Sequence, residues 1–425
     1  MTTTRREFLG TAAAGAALYA AGTRAAEDKP VLKLGVIGAG WYGMVDAKAA
    51  LKVGGVEIAA IADVDSEHLA KSVEELEKLQ GAKPQTYKHY EELLDKADLN
   101  AVIIATPPHW HALPFLAALE KGLDIYCEKP LAYDVREGQA MVAAAEKSDR
   151  VVQVGFQRRQ SQAFQQAAEF LRSGKAGKVV QVDAQIHYKA GTKDPTPQDP
   201  PASLDWELWC GPGPKIPYSP QVGHINWRLE KEVGHGHLVD WGIHLIDTVR
   251  VMLDLGMPKR IVAAGGLYQY KGIITTPDTL TVHFEFDRLP LVWRHRLWGA
   301  EEYNPETNNG IFFFGEEATV FATDDRWVVI PKSKGAERET HEVKTDSGVE
   351  HMADFLEAVR TRRKVDCPID DAFRSTTTVQ LGAIAYESGT VVDWDSEALE
   401  IPGNEAAAKL LKREYRAPWK HPWQG

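Results

Sequence analysis

Val31-Leu32-Lys33-Leu34-Gly35-Val36-Ile37-Gly38-Ala39-Gly40-Trp41-Tyr42-Gly43 is the stretch whose reading decides the fold. Its first seven residues form a short apolar, β-branched run, which predicts a strand. Glycines follow at 38, 40 and 43, and an Ala-rich helical pattern then runs over 44–53. Strand, glycine turn and helix in immediate succession are the context that a dinucleotide fingerprint requires. The glycines make a tight turn, admit a pyrophosphate to the backbone and let helix and strand pack closely. The helix N-terminus then faces the phosphates. A second strand, over 56–62, ends in Asp63. An acid there can accept both ribose hydroxyls of NAD, and it repels the additional phosphate of NADP. Gly38, Gly40, Trp41, Tyr42, Gly43 and Asp63 are therefore expected to hold NAD in preference to NADP.

The same rhythm continues outward. Helical patterns over 66–79 and 91–96 lead to a strand over 101–105, which ends at Thr106-Pro107-Pro108-His109-Trp110-His111. A helix over 112–121, an apolar run over 123–127, a helix over 135–147 and a strand over 151–154 follow. Such alternation predicts a parallel, doubly wound sheet. Beyond Gly155 the pattern changes. A helix over 163–173 precedes longer alternating strands at 179–188, 260–270, 279–286 and 291–298, which predict a large, mostly antiparallel open sheet with helices on one face. The expected organisation is a nucleotide domain over 31–154, an α+β substrate and oligomerisation domain over 155–400, and a C-terminal extension over 401–425. A Pro-rich insertion over 190–221 contains Leu204-Asp205-Trp206-Glu207-Leu208-Trp209. It is long for a plain connector, which favours a binding or assembly loop.

Two clusters carry chemistry. Glu128-Lys129-Pro130 sits where the 123–127 run stops, at the carboxyl end of a predicted strand, the edge at which open α/β sheets bind ligands. Lys129 is thereby a candidate catalytic cation beside the cofactor. The proline restricts Lys129 to extended geometry and is a candidate for the cis form. The second cluster is Gly234-His235-Gly236-His237-Leu238-Val239-Asp240-Trp241-Gly242-Ile243-His244, continued by an apolar helical pattern. Asp240 and His244 are four apart and share a helix face, with His237 nearly on it. A carboxylate beside an imidazole can orient it and raise its basicity, as a general base requires. His237, Asp240 and His244 could also supply three metal ligands, but hydride chemistry beside a lysine needs no metal and none is expected. Gln157, Arg158 and Arg159 follow the last strand of the first sheet. Gln157 and Arg159 are taken as candidates to reach the substrate.

Composition excludes some partners. The chain has 49 basic and 60 acidic residues, a formal net charge of -11. That argues against nucleic acid and anionic membrane surfaces. At the N-terminus, Thr4-Arg5-Arg6-Glu7-Phe8-Leu9 precedes an apolar stretch over 10–22 and small residues around Ala25-Ala26. This matches a twin-arginine export signal over 1–26, and the apolar stretch is too short for a permanent anchor. The expected location is the periplasm or another exported site. The twin-arginine route carries folded proteins, so an exported nucleotide enzyme is expected to load its cofactor first and recycle it internally. Cys127, Cys210 and Cys367 have no metal spacing, and whether any pair is left open.

These motifs together resemble the glucose-fructose oxidoreductase / inositol dehydrogenase / MocA family, in its exported branch. The resemblance rests on the glycine turn, the Thr106-Pro107 loop with His109 and His111, Glu128-Lys129-Pro130, and Gly234-His235-Gly236 leading to Asp240 and His244. It implies that Thr106, Pro107, His109, His111, Glu128 and Lys129 border NAD, and that Lys129, Asp240 and His244 are catalytic. It also implies homodimers or homotetramers formed through the second sheet. The chain departs from the family at His235, where three consecutive glycines are usual, and His235 and His237 are taken as substrate-pocket residues. The expected reaction is hydride transfer between bound NAD and a secondary hydroxyl of a sugar, glycoside or polyol. The alternatives are glycoside cleavage by transient oxidation and elimination, and a non-catalytic nucleotide-binding protein.

Overall fold

The computed structural model describes residues 31–300 and 309–424. The export segment expected over 1–26 lies outside them. Strands β1 (Leu32–Ile37), β2 (Val56–Ala62), β3 (Gln85–Tyr87), β4 (Ala101–Ile104), β5 (Asp124–Glu128) and β6 (Val152–Gly155) form one sheet in the order β3-β2-β1-β4-β5-β6. Every pairing in it is parallel. Helices cover both faces, so β4 and β5 are buried along their whole length, as a doubly wound sheet requires. One of the covering helices, Ser347–Thr361, comes from far along the chain. Its Met352, Phe355 and Leu356 join Leu34, Val36 and Ile58 in one apolar cluster. The order of strands reverses between β1 and β4, which opens the crevice where such sheets bind nucleotides.

The second sheet has nine strands: β7 (Val179–His187), β8 (Arg260–Gly266), β9 (Thr279–Glu285), β10 (Pro290–Arg296), β11 (Asn309–Gly315), β12 (Ala318–Ala322), β13 (Arg326–Pro331), β14 (Glu339–Glu342) and β15 (Val392–Asp393). Their order is β14-β13-β12-β11-β7-β10-β9-β8-β15, and of these pairings only β7–β10 is parallel. β9 shows why the sheet is two-faced. Leu280, Val282 and Phe284 point into the core, and Thr281, His283 and Glu285 face out. Gly382 of helix Ile369–Ser388 lies against Val282, Phe284 and Leu238, so close that a Cβ there would stand 2.8 Å from Leu238. β8 stops at Gly266, short of the 270 expected. The Asp278 carboxylate accepts the backbone N–H groups of Tyr268, Gln269 and Tyr270 and turns the chain away from the sheet.

Candidate active site

The glycine turn is built as a cradle. Gly38 adopts φ 96°, and a Cβ on it would meet the backbone of Ala105 and Thr106 at 2.8 Å. A Cβ on Gly43 would stand 2.0 Å from the Gly38 carbonyl oxygen, so only glycine lets helix Trp41–Val53 start this close to β1. Gly40 differs: a Cβ there would meet nothing within 4 Å. It is the N-cap of the helix, with no side chain bonded to the first-turn amides. Open space over free helical N–H groups is the shape and charge that a pyrophosphate needs. Asp63 closes the turn from below. Its carboxylate accepts the amides of Ala39 (2.7 Å) and Asp65 (2.8 Å), bonds that oppose the rise in its pKa caused by burial. These residues fit a dinucleotide.

A cavity of about 280 Å³ runs from Asp63 past Gly38, Gly40 and Thr106. Trp41, Tyr42, Thr106, Trp227 and Arg228 also border a second cleft of about 750 Å³, which holds Glu128, Lys129, Gln157, Asp240 and His244. The two spaces place the expected cofactor turn and the expected catalytic residues along one continuous trough.

At the carboxyl end of β5 the Lys129–Pro130 bond is cis. Lys129 Nζ donates to the backbone oxygen of Asp240 (2.8 Å) and to its Oδ1 (3.0 Å). Arg228 Nε lies 3.2 Å from the other oxygen, Oδ2. Burial alone would raise the Asp240 carboxyl, but the two cations outweigh it and hold the group below its ordinary range. The expectation that Asp240 orients His244 is corrected here. Both carboxylate oxygens are taken by cations, and charge-assisted bonds of this kind outcompete a neutral imidazole. His244 Nδ1 is buried with no hydrogen-bond partner. Burial, then Lys129 and Arg158, keep the His244 pKa well below its ordinary value, so the ring is neutral. Glu128 is pushed up to about 7 by burial, against the pull of Lys129 and of Gln157, whose Nε2 donates to Glu128 Oε1 at 2.5 Å.

Asp240 lies in a π-helical turn, Leu238–Gly242, that runs into helix Ile243–Leu253. Glycines set its position. A Cβ on Gly234 would strike the backbone of Trp227 and Arg228 at 2.6–2.9 Å, and a Cβ on Gly236 would strike the Thr276 side chain.

Several sequence candidates have other tasks. Arg159 is buried in ion pairs with Asp247 (2.5 Å) and Asp371 (2.8 Å), away from the cleft, while its neighbour Arg158 lines it. His109 is buried, with Nε2 2.8 Å from the Trp209 carbonyl, and serves to dock that segment. His111 pins two loops of the site together, its nitrogens 2.8 Å from the Pro130 oxygen and 2.7 Å from the Thr106 oxygen. His235 stacks on Tyr133 and bonds to its carbonyl. His235 and His237 line a separate small cavity beside Thr276 and His295. His109, His111 and His235 each satisfy polar backbone in a buried place, a demand with no pattern in the sequence. Among the described residues, His237, Asp240 and His244 are not one of the groups whose ligand atoms converge as a metal site would need.

The structure adds residues that the sequence reading missed, chiefly from the segment over 190–229. This segment crosses to the nucleotide sheet. Leu204 bridges to Asp65, the Asp205 amide donates to the Val64 oxygen, Asp205 pairs with Lys88 at 2.6 Å, and His224 Nε2 lies 2.9 Å from Asp65 Oδ2. Lys193, Leu208, Trp209, His224, Trp227 and Arg228 thereby roof the 280 Å³ cavity. The C-terminal extension locks the roof from outside. Arg416 bonds to the carbonyls of Glu207, Gly211 and Gly213, and Arg413 to that of His109. The Pro-rich composition gave the segment away as more than a connector, but not what it covers.

Comparison with known proteins agrees with this geometry. Residues 32–156 match the family model described as oxidoreductase family, NAD-binding Rossmann fold, and residues 177–421 match that of the same family's C-terminal alpha/beta domain. An uncharacterized oxidoreductase of Streptococcus pneumoniae is 26% identical over 310 residues, 72% of this chain and 68% of that protein. Inositol 2-dehydrogenase of Salmonella typhimurium is 31% identical over 163 residues, 38% of this chain and about half (47%) of its own length. The solved structure of levoglucosan dehydrogenase in complex with NADH and L-sorbose superposes with a TM-score of 0.67 at 20% identity, covering 86% of this chain and 99% of that one.

Proposed function

The chain belongs to the Gfo/Idh/MocA family of NAD-binding oxidoreductases, and from that premise we propose that it transfers a hydride between resident NAD and a secondary hydroxyl of a sugar, glycoside or polyol. The observation that carries this reading is the trough itself. It joins the glycine cradle to Lys129, Asp240 and His244 along a wall of tryptophans. The half-exposed Trp41 and Trp241 offer apolar faces to a sugar ring, and Arg158 and Lys129 offer donors to its hydroxyls. Inositol and levoglucosan dehydrogenases among the similar proteins point to the same substrate class.

Each residue then has a task. NAD, when bound, supplies the hydride acceptor. His244, which lines the cleft and is neutral there, takes the hydroxyl proton. Lys129 holds the substrate oxygen and stabilises the negative charge that develops on it, an interaction strengthened by burial. Asp240 keeps the ammonium aimed at that oxygen through the 3.0 Å contact. Asp63 selects NAD over NADP. The roof over the nucleotide favours a cofactor that stays bound and is re-reduced or re-oxidised in place. This suits the proposed export of the folded, loaded protein. The same first step followed by elimination would cleave a glycoside with no net NADH, so released aglycone is an arm of the assay. We propose further that the outward face of the nine-stranded sheet pairs subunits into dimers or tetramers, and a monomer by light scattering would contradict this. The reading as a whole is tested by native mass spectrometry of the purified protein, followed by a sugar panel read through nicotinamide fluorescence. It predicts stoichiometric NAD and a fluorescence change with at least one sugar or polyol, and a protein free of nucleotide would overturn it.

A further inference from the structure

We propose that Arg228 is a positioning residue that completes the Lys129–Asp240 pair only while the segment over 190–229 is closed over the nucleotide, so that an open roof means an unassembled active site. The inference rests on the function proposed above and adds a coupling that the family match does not supply.

Three observations carry it. First, Arg228 borders both spaces, the nucleotide cavity and the cleft of Lys129 and His244. Secondly, its side chain is fixed from three directions. Nε meets Asp240 Oδ2 at 3.2 Å, Nη1 donates to the Ile225 oxygen at 3.0 Å, and the guanidinium lies 4.3 Å from the Trp227 ring and 5.9 Å from that of Trp41. Trp41 belongs to the nucleotide turn and Trp227 to the roof, so the contact spans both sides. Thirdly, the roof's end is seated on the catalytic turn. The Gly236 amide donates to the Arg228 carbonyl at 2.9 Å, and Gly234 has no room for a Cβ because the Trp227–Arg228 backbone presses on it.

The consequence follows from the carboxylate. Asp240 has two oxygens and, in the closed form, two cations. Lys129 takes Oδ1 and the backbone oxygen, and Arg228 takes Oδ2. With Arg228 withdrawn, the carboxylate is free to rotate, and the ammonium, left with the Asp240 backbone oxygen as its one fixed partner, shifts from its place at the substrate oxygen. A misplacement of about 1 Å can cost about 100-fold in rate. A lysine at 228 cannot restore the arrangement, because a compact ammonium cannot lie flat by two indoles and also reach Asp240 through a side nitrogen.

The test uses the full chain with its bound NAD. Arg228→Ala, Arg228→Lys and Gly234→Ala are compared with the unmodified protein for kcat, KM and the rate of NAD release on dilution, followed by native mass spectrometry. Gly234→Ala displaces the roof's end without removing the arginine. The expected result is a 10- to 100-fold lower kcat in all three, faster NAD release, and partial recovery of kcat in Arg228→Ala on adding guanidinium ion. Unchanged kcat with faster release would make Arg228 a roof residue only and overturn the coupling. Lowered kcat with unchanged NAD release would overturn it as well. If the unmodified protein holds NAD but transfers no hydride to it from any sugar, the proposed function fails separately. The release rates still decide whether Arg228 holds the roof, and equal rates would refute the inference.

Discussion

Two glycines three residues apart in one turn give opposite predictions on substitution. At Gly40 a Cβ meets nothing within 4 Å, and the backbone, at φ -69° and ψ -172°, is open to any residue. Gly40→Ala is therefore expected to fold normally, and the loss of unfolded-state freedom should stabilise it by about 0.4–1 kcal/mol. The methyl group, however, occupies the space assigned to the pyrophosphate. Overpacking of this kind costs about 1–3 kcal/mol, which corresponds to NAD binding weakened roughly 5- to 150-fold. At Gly43 the Cβ would stand 2.0 Å from the Gly38 carbonyl oxygen, which is backbone and cannot step aside. Gly43→Ala should then displace the helix from β1 and lower folding stability by about 1–3 kcal/mol or more. Urea denaturation of the nucleotide-free proteins and calorimetric titration with NAD separate the two effects. Wild-type NAD affinity in Gly40→Ala would refute the assignment of that open space to the pyrophosphate.

Further predictions concern the site's charges. Lys129→Ala and His244→Ala should fold and hold NAD but lose turnover. The histidine loss is expected within the 10²–10⁴-fold typical of a general base, and near-normal rates in either variant would show that the site lies elsewhere. Lys129→Arg should not restore activity, since a guanidinium cannot place a compact cation on one oxygen. Glu128→Gln should change the pH dependence of stability. Burial lifts this carboxyl from its ordinary 4.5 to about 7. The folded chain thus holds a proton that the unfolded chain lacks between those values. The stability this contributes is present below pH 4.5 and lost as pH rises through 7, at about 1.4 kcal/mol per pH unit. The variant should therefore gain up to about 3 kcal/mol on the unmodified protein between pH 4.5 and 8, and a gap that stays constant in denaturation at the two pH values would contradict the raised pKa. Asp63→Ser should relax the preference for NAD, read as the ratio of NAD to NADP dissociation constants, and tighter NADP binding by the unmodified protein would refute the role given to Asp63.

The first sheet was legible because its signals are local. A glycine turn between a β-branched run and a helix, repeated βα alternation and an acid after β2 each reside in a short stretch, and chirality and connection rules leave few ways to assemble them. Lys129 and His244 were legible for a related reason: each sits at a strand end or on a helix beside a glycine motif. What the sequence concealed was the pairing across space. Asp240 and His244 share a helix face by spacing, but two cations from outside that helix, Lys129 and Arg228, claim the carboxylate. Arg158 and Arg159 are adjacent and chemically identical, and only the buried Asp247 and the half-buried Asp371 decide which of them is withdrawn from the cleft. His109 and His111 read as site residues because of their position, yet backbone carbonyls within 2.8 Å engage His109 Nε2 and both nitrogens of His111. The roof over the nucleotide is the largest omission. It depends on contacts such as His224 with Asp65, 159 residues apart, for which no local pattern exists.

The most direct test of the account follows a labelled hydrogen. The protein, purified with its nucleotide, is given the sugar or polyol found active in the panel, carrying deuterium on the carbon of the reacting hydroxyl. The nucleotide is then released and weighed. The account predicts NAD at roughly one per chain and deuterium on its nicotinamide in the unmodified protein, with the label absent in Lys129→Ala and His244→Ala although both still carry NAD. Bound NAD that never acquires the label, or label transfer undiminished in both variants, would contradict it.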